Sequence, residues 1–130
     1  MKAEPHTLVP HIHGEGRPYA SAAVFGGTIW TCGQVPTSSS GHTPDDMAEQ
    51  VNAVFDNLEA TLRAAGGGLH TLLKVTVYLA DLDDFDAYNA TYLSRLQGVS
   101  LPPRTTVEVS RFRGDKRIEM DVIAAVAALD

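Results

Sequence analysis

The chain contains one cysteine, Cys32, and no apolar run approaching the length of a membrane span. A lone thiol excludes an internal disulfide framework and fits a reducing compartment. Basic charge is also scarce. Ten Lys and Arg stand against sixteen Asp and Glu, a formal net charge of -6, which offers no footprint for a phosphate backbone, so no nucleic-acid partner is expected. The start Met1-Lys2-Ala3-Glu4-Pro5-His6 lacks the apolar stretch of a secretory signal. Neither a low-complexity tail nor an internal repeat nor a long linker interrupts the chain. These absences predict a soluble, cytoplasmic protein. With 130 residues, 44% of them hydrophobic, the chain can bury one core, and a single domain over residues 1–130 is expected.

The patterning predicts alternating strands and helices. Ala22–Phe25 and Thr28–Cys32 are β-prone runs around Gly26-Gly27, a dipeptide suited to a tight hairpin, and Thr7–Pro10 offers an extra strand. After a polar loop, Thr43-Pro44-Asp45-Asp46 reads as a helix start, with Thr43 as N-cap and Pro44 in the first turn. Met47, Val51, Val54, Phe55, Leu58 and Leu62 then form one apolar stripe, closed by Gly66-Gly67-Gly68. Leu72–Ala80 alternates as a strand, with Leu73, Val75, Val77 and Leu79 on one face. Asp81 caps a second helix carrying Leu82, Phe85, Tyr88, Tyr92 and Leu96, which Gly98 and Pro102-Pro103 stop. Two final strands follow. The fold class is α+β: a mixed sheet with two helices on one face. Val24, Ile29, Val75, Val107 and Val122 exceed what two helices on one side can hide, so burial against other copies of the chain is expected. A monomer with a polar second face is the alternative.

The last two strands carry the strongest chemical signal. Arg104 opens the first, in Leu101-Pro102-Pro103-Arg104-Thr105, and shares a face with Thr106 and Glu108. Glu119 begins the second, in Arg117-Ile118-Glu119-Met120-Asp121, facing with Asp121 while Ile118, Met120 and Val122 point inward. Arginine holds a carboxylate through two parallel hydrogen bonds, and a glutamate nearby can manage a water or a proton. Together they suggest a site where a small anion undergoes acid/base chemistry. A surface ion pair between neighbouring strands is the plainer reading. His11 and His13 have the spacing of two metal ligands on one strand face, yet no third ligand is apparent, and no metal is expected. Tyr78, Tyr88 and Tyr92 read as core or interface residues.

One ordered set of motifs resembles a known family. Arg17-Pro18-Tyr19-Ala20-Ser21, Cys32-Gly33-Gln34-Val35-Pro36, Gln50-Val51 with Asn57-Leu58, Lys74-Val75-Thr76-Val77-Tyr78-Leu79, Phe85 with Tyr88-Asn89, Pro102-Pro103-Arg104 and Ile118-Glu119-Met120 are similar, in this order, to the RidA/YjgF family of reactive-intermediate deaminases. The resemblance runs from about Pro18 to Ala127. It implies a chorismate-mutase-like fold assembled as a homotrimer, with one site in each cleft between subunits. It also implies hydrolysis of enamines and imines such as 2-aminoacrylate to 2-keto acids and ammonia.

Under this resemblance Arg104 matches the arginine that holds the substrate carboxylate, and Glu119 the glutamate that positions the hydrolytic water. Tyr19 matches an aromatic residue lining the cleft. Thr106 stands where cysteine is common, Cys32 where serine is common, and Ser21 where glutamine is common. These departures bear on the pocket wall and hence on which substrate fits. Cys32 is read as packing rather than as a nucleophile, and Gly33 as serving a backbone conformation beside the pocket. No cofactor is implied, because an imine is already reactive, and the partner is a small imine or keto acid. Two other classes are weighed against this one. The first is a non-catalytic trimer that binds a small carboxylate. The second is the ribonuclease or translation-inhibitor activity also attached to the family, against which the acidic balance argues. A pathway-specific deaminase of an aminomuconate-like or pyrimidine-derived enamine would use the same clamp.

Overall fold

In the computed structural model, which describes residues 6–14 and 16–127, six strands form one sheet and two helices cover one of its faces. The strands are β1 (Thr7–Val9), β2 (Ala22–Phe25), β3 (Thr28–Thr31), β4 (Leu72–Leu79), β5 (Arg104–Glu108) and β6 (Ile118–Ala125); the helices are α1 (Met47–Ala65) and α2 (Phe85–Arg95). Their order across the sheet is β1-β2-β3-β6-β4-β5. All neighbours are antiparallel except β4 and β5. This is the mixed α+β arrangement that the patterning predicts. A parallel pair needs a crossover, and α2 supplies it, so the helix packs back onto the strand that begins with Arg104.

Gly26 and Gly27 both take positive φ, 59° and 79°, as the two central residues of a hairpin turn matched to strand twist require. Helix α1 starts later than expected. Its N-cap is Asp46, whose carboxylate accepts from the Glu49 N–H at 3.0 Å, while the Thr43 hydroxyl is engaged with that of Thr37 at 2.8 Å. Gly66 closes the helix in the left-handed conformation, with φ at 92°. The expected stripe is buried throughout, from Met47 to Leu62. At the second helix, Asp81 caps a short 3-10 turn over Leu82–Asp84 rather than α2 itself, and Leu82 stays outside the stripe, exposed.

Residues paired across neighbouring strands share a face, so the register sorts the side chains. Ile29, Val75, Val77, Leu79, Ile118, Met120, Val122 and Ala124 lie under the helices and are buried. Leu73 is the exception to the β4 alternation. It is the extra residue of an irregularity between Leu72 and Lys74, and it is exposed. The set expected to need a second cover also changes. Ile29, Val75 and Val122 are hidden by the helices, Val24 packs against the same core, and of the five only Val107 is exposed. The face turned away from the helices carries other apolar groups: Leu8, Phe25 and Trp30 join Val107, with Trp30 43% exposed.

Candidate active site

Arg104 occupies the first position of β5, directly after two prolines, and pairs with Val75, so its side chain projects to the helix face. The strand entry is pinned where the Val75 N–H donates to the Pro103 carbonyl at 2.9 Å. The guanidinium then meets α2. Its central carbon lies 4.6 Å from the Tyr92 ring centre, 5.3 Å from that of Tyr88 and 5.6 Å from that of Phe85. Its Nη1 donates to Asn89 Oδ1 at 2.8 Å. The Tyr88 and Thr106 hydroxyls are 2.6 Å apart, which ties Thr106 to the same cluster. A cation over several ring faces gains roughly 0.5–2 kcal/mol depending on desolvation, and here the rings also fix where the fork can point. Among the described residues no carboxylate pairs with Arg104, so the surface-ion-pair reading is set aside. A cavity of about 260 Å³ opens beside it, lined by Tyr92, Leu93, Leu101, Pro102 and Arg104.

Glu119 is built differently. It pairs with Tyr78 across β4 and β6, on the face away from the helices. On its other side a bridge joins Gln34 and Met120: the Gln34 N–H donates to the Met120 carbonyl at 2.6 Å, and the return bond is 3.0 Å. That bridge holds Gly33 against the carboxylate so closely that a Cβ at this position would overlap it. The glycine is therefore required by close approach. Burial raises the Glu119 pKa above its ordinary 4.5; Lys116 opposes this and Asp121 adds to it. Asp121 in turn accepts from the Tyr78 hydroxyl at 2.8 Å, which pushes that phenol up to about 12.

Cys32 lies in the same neighbourhood. Burial raises its thiol pKa, and the Glu119 charge raises it further, the opposite of what a nucleophile needs. Its Sγ donates to the Gly33 carbonyl at 3.6 Å and receives a contact from Gln34 Nε2 at 3.5 Å. Tyr19 is half exposed, its ring edge-on to His11 at 5.4 Å. The His13 N–H donates to His11 Nδ1 at 3.1 Å, and among the described residues no group of three or more His, Cys, Asp or Glu could hold a metal ion.

The register thus sorts the expected site residues into two groups. Glu119, Cys32 and Gly33 cluster at one end, while Arg104 and Thr106 stand with α2 on the opposite face of the sheet. Within one chain the clamp and the carboxylate do not share a pocket. Tyr88 and Tyr92 are buried, as expected, but they also flank the guanidinium, and that contact and the Asn89 hydrogen bond were not foreseen. The signal was present in the topology, because the crossover helix between parallel strands must lie over the start of the second.

With this geometry in view, known proteins supply the family. The model described as Endoribonuclease L-PSP, which is the RidA/YjgF family, matches residues 14–126. The chain belongs to that family. It is 37% identical over 110 residues to the 2-iminobutanoate/2-iminopropanoate deaminase of Escherichia coli K12, covering 82% of this chain and 86% of that protein. It is 43% identical over 109 residues to a RutC family protein of Pyrococcus abyssi, covering 82% and 85%. Among solved structures, the YjgF gene product of E. coli superposes with a TM-score of 0.81 at 36% identity, covering 91% of this chain and 93% of that one. E. coli TdcF with bound serine gives 0.82 at 29% identity, covering 92% and 94%. Family members thus include one named as an imine deaminase and one solved with a small amino acid. Among the described residues no helix is long and apolar enough to cross a membrane.

Proposed function

We propose that this member of the RidA/YjgF family hydrolyses reactive enamines and imines of the 2-aminoacrylate type to 2-keto acids and ammonia, in sites completed between copies of the chain. The observation that carries the reading is the Arg104 guanidinium, held by Asn89 and three rings at the rim of an open cavity without a carboxylate partner among the described residues. Such a fork is ready for an incoming carboxylate, with hydrogen bonds worth roughly 1.5–3 kcal/mol each. Glu119, whose raised pKa brings it nearer to neutrality, is suited to take a proton from water and return it.

The reaction asks for little more. An enamine tautomerises to the imine, water adds to the C=N carbon, and the carbinolamine collapses to ketone and ammonia. Glu119 orients the water, passes its first proton to the imine nitrogen as the C–O bond forms, and then carries the carbinolamine hydroxyl proton to the departing amine as the C–N bond breaks. Arg104 fixes the imine carbon by its neighbouring carboxylate. Proton management of this kind contributes about 10²–10⁴-fold. Tyr19, Cys32, Gly33 and Thr106 form the wall around the ligand in this reading.

A single chain keeps the two halves on opposite faces, so a ligand that meets both needs a neighbour. The exposed apolar set of Leu8, Phe25, Trp30 and Val107 lies on the face that carries Glu119, where a second copy would bury it. A homotrimer with three equivalent clefts satisfies both requirements. The serine bound in TdcF favours a second reading, a trimer that holds small carboxylates without turning them over. The family's endoribonuclease label is not carried to this chain, whose net charge of -6 suits no polyanion. Ammonia release from freshly generated 2-aminoacrylate decides between the readings: acceleration over the spontaneous rate supports the deaminase, and binding of a keto acid without acceleration supports the holder.

A further inference from the structure

A cavity of about 410 Å³, larger than the one beside Arg104, lies next to Tyr19 and is lined by Pro10, His11, Arg17 and Tyr19 together with neighbouring glycine and alanine backbone. We infer that it receives the far end of the substrate, and that this end is acidic, so that the ligand is an imino acid with a second acidic group. The inference rests on the deaminase reading for what the first acid group does; the second acid group is argued from this cavity alone.

Three observations support it. Arg17 brings a permanent charge to the wall, and among the described residues it forms neither an ion pair nor a side-chain hydrogen bond. A guanidinium beside an open cavity takes a carboxylate better than any neutral group. His11 completes the polar side. Burial, reinforced by the Arg17 charge, lowers its pKa, which leaves the ring neutral near pH 7 and available as a hydrogen-bonding partner instead of a second cation. Pro10 and the Tyr19 ring supply an apolar wall for the carbon chain between the acid groups.

Placement connects this cavity to the chemistry. His11 also lines a narrow gap shared with Gly33 and Gln34, and Gly33 abuts the Glu119 carboxylate, so the cavity and the Glu119 half-site share a wall. The family match begins at residue 14, whereas Arg104 and Glu119 lie well within it. Pro10 and His11 thus lie ahead of the residues the family model matches. A three-carbon imino acid has no second polar group to place beside Arg17; one with a distal carboxylate does.

Isothermal titration of 2-ketoglutarate and 2-ketobutyrate into the full-length protein, its Arg17→Ala variant and its Arg17→Lys variant tests the inference. The expected result is at least about tenfold tighter binding of 2-ketoglutarate by the wild type, the energy of one charged hydrogen bond. Arg17→Ala should bring the two affinities to within about twofold, and Arg17→Lys should restore part of the preference. Equal affinities in the wild type, or a preference that persists in Arg17→Ala, would overturn it. Ammonia release from 2-aminoacrylate is measured on the same samples. If release is intact and the preference absent, the inference alone fails; if release is absent and the preference present, the deaminase reading fails while the second acid site stands.

Discussion

Arg104 and Glu119 stand on the two strands that flank β4, and their surroundings differ in kind. The arginine is surrounded by its own chain: Phe85, Tyr88, Asn89 and Tyr92 of α2 leave its fork one direction to face. The glutamate sits on the uncovered side, half-buried between Gly33 and the Tyr78–Asp121 pair, on a face whose apolar residues are still exposed. One half is built within the chain; the other lies on a face the chain itself leaves uncovered. A helix that covers one face of a sheet can preset a clamp, but it also screens that clamp from anything on the opposite face. Under the proposed function, bringing the halves around one ligand falls to assembly.

The largest expected effect is on assembly itself. Trp30→Glu places a charge in the exposed apolar face and should shift the protein to monomers in sedimentation velocity, with turnover falling together with the oligomer. A variant that stayed assembled and active would dissociate that face from the account.

Next comes the clamp. Arg104→Ala removes two charged hydrogen bonds and should lower kcat/KM by about 10²–10⁴-fold, measured by ammonia release. An unchanged rate would remove Arg104 from the mechanism. Glu119→Gln should act more narrowly, retaining keto-acid binding while slowing hydrolysis by about 10²-fold or more. Because burial raises the pKa of Glu119, the acid limb of the wild-type kcat/KM profile should fall above 4.5. The same shift has a consequence for stability. Folding takes up a proton between the unfolded and folded pKa values, so the contribution of Glu119 is fully present below 4.5 and is lost as pH rises through the folded value. Denaturant titrations across that range should show this slope in the wild type and not in Glu119→Gln. The smallest effect is at Asn89. Asn89→Ala frees one guanidinium nitrogen without touching the substrate, and should raise KM about tenfold with little change in melting temperature. A large loss of stability instead would make Asn89 a fold residue.

Much of this molecule could be read from its residues because local patterns decide local structure. The α1 stripe from Met47 to Leu62, the Gly66 cap and the Gly26-Gly27 hairpin all formed where their periodicity and φ requirements placed them. Errors arose where a choice depended on a distant partner. Thr43 is as good a cap as Asp46 until Thr37 engages its hydroxyl. Leu73 fits the β4 alternation until pairing with β6 leaves it as the extra residue. The site follows the same rule. Arg104 and Glu119 were visible as alternation on two strands, but which faces they would occupy depended on both pairing with β4. Tyr88 and Tyr92 looked like core because their spacing is that of a buried stripe, and they are buried. That the stripe also runs beneath the guanidinium becomes visible only once the crossover is recognised.

Hybrid assemblies test the central claim most directly. Arg104→Ala and Glu119→Gln proteins, each depleted of activity, are unfolded, mixed in equal amounts and refolded together. If every site takes its arginine from one subunit and its glutamate from a neighbour, random mixing leaves about one site in four with both native residues, and ammonia release should recover to about a quarter of the wild-type rate. A mixture no more active than its two components would contradict a site shared between copies.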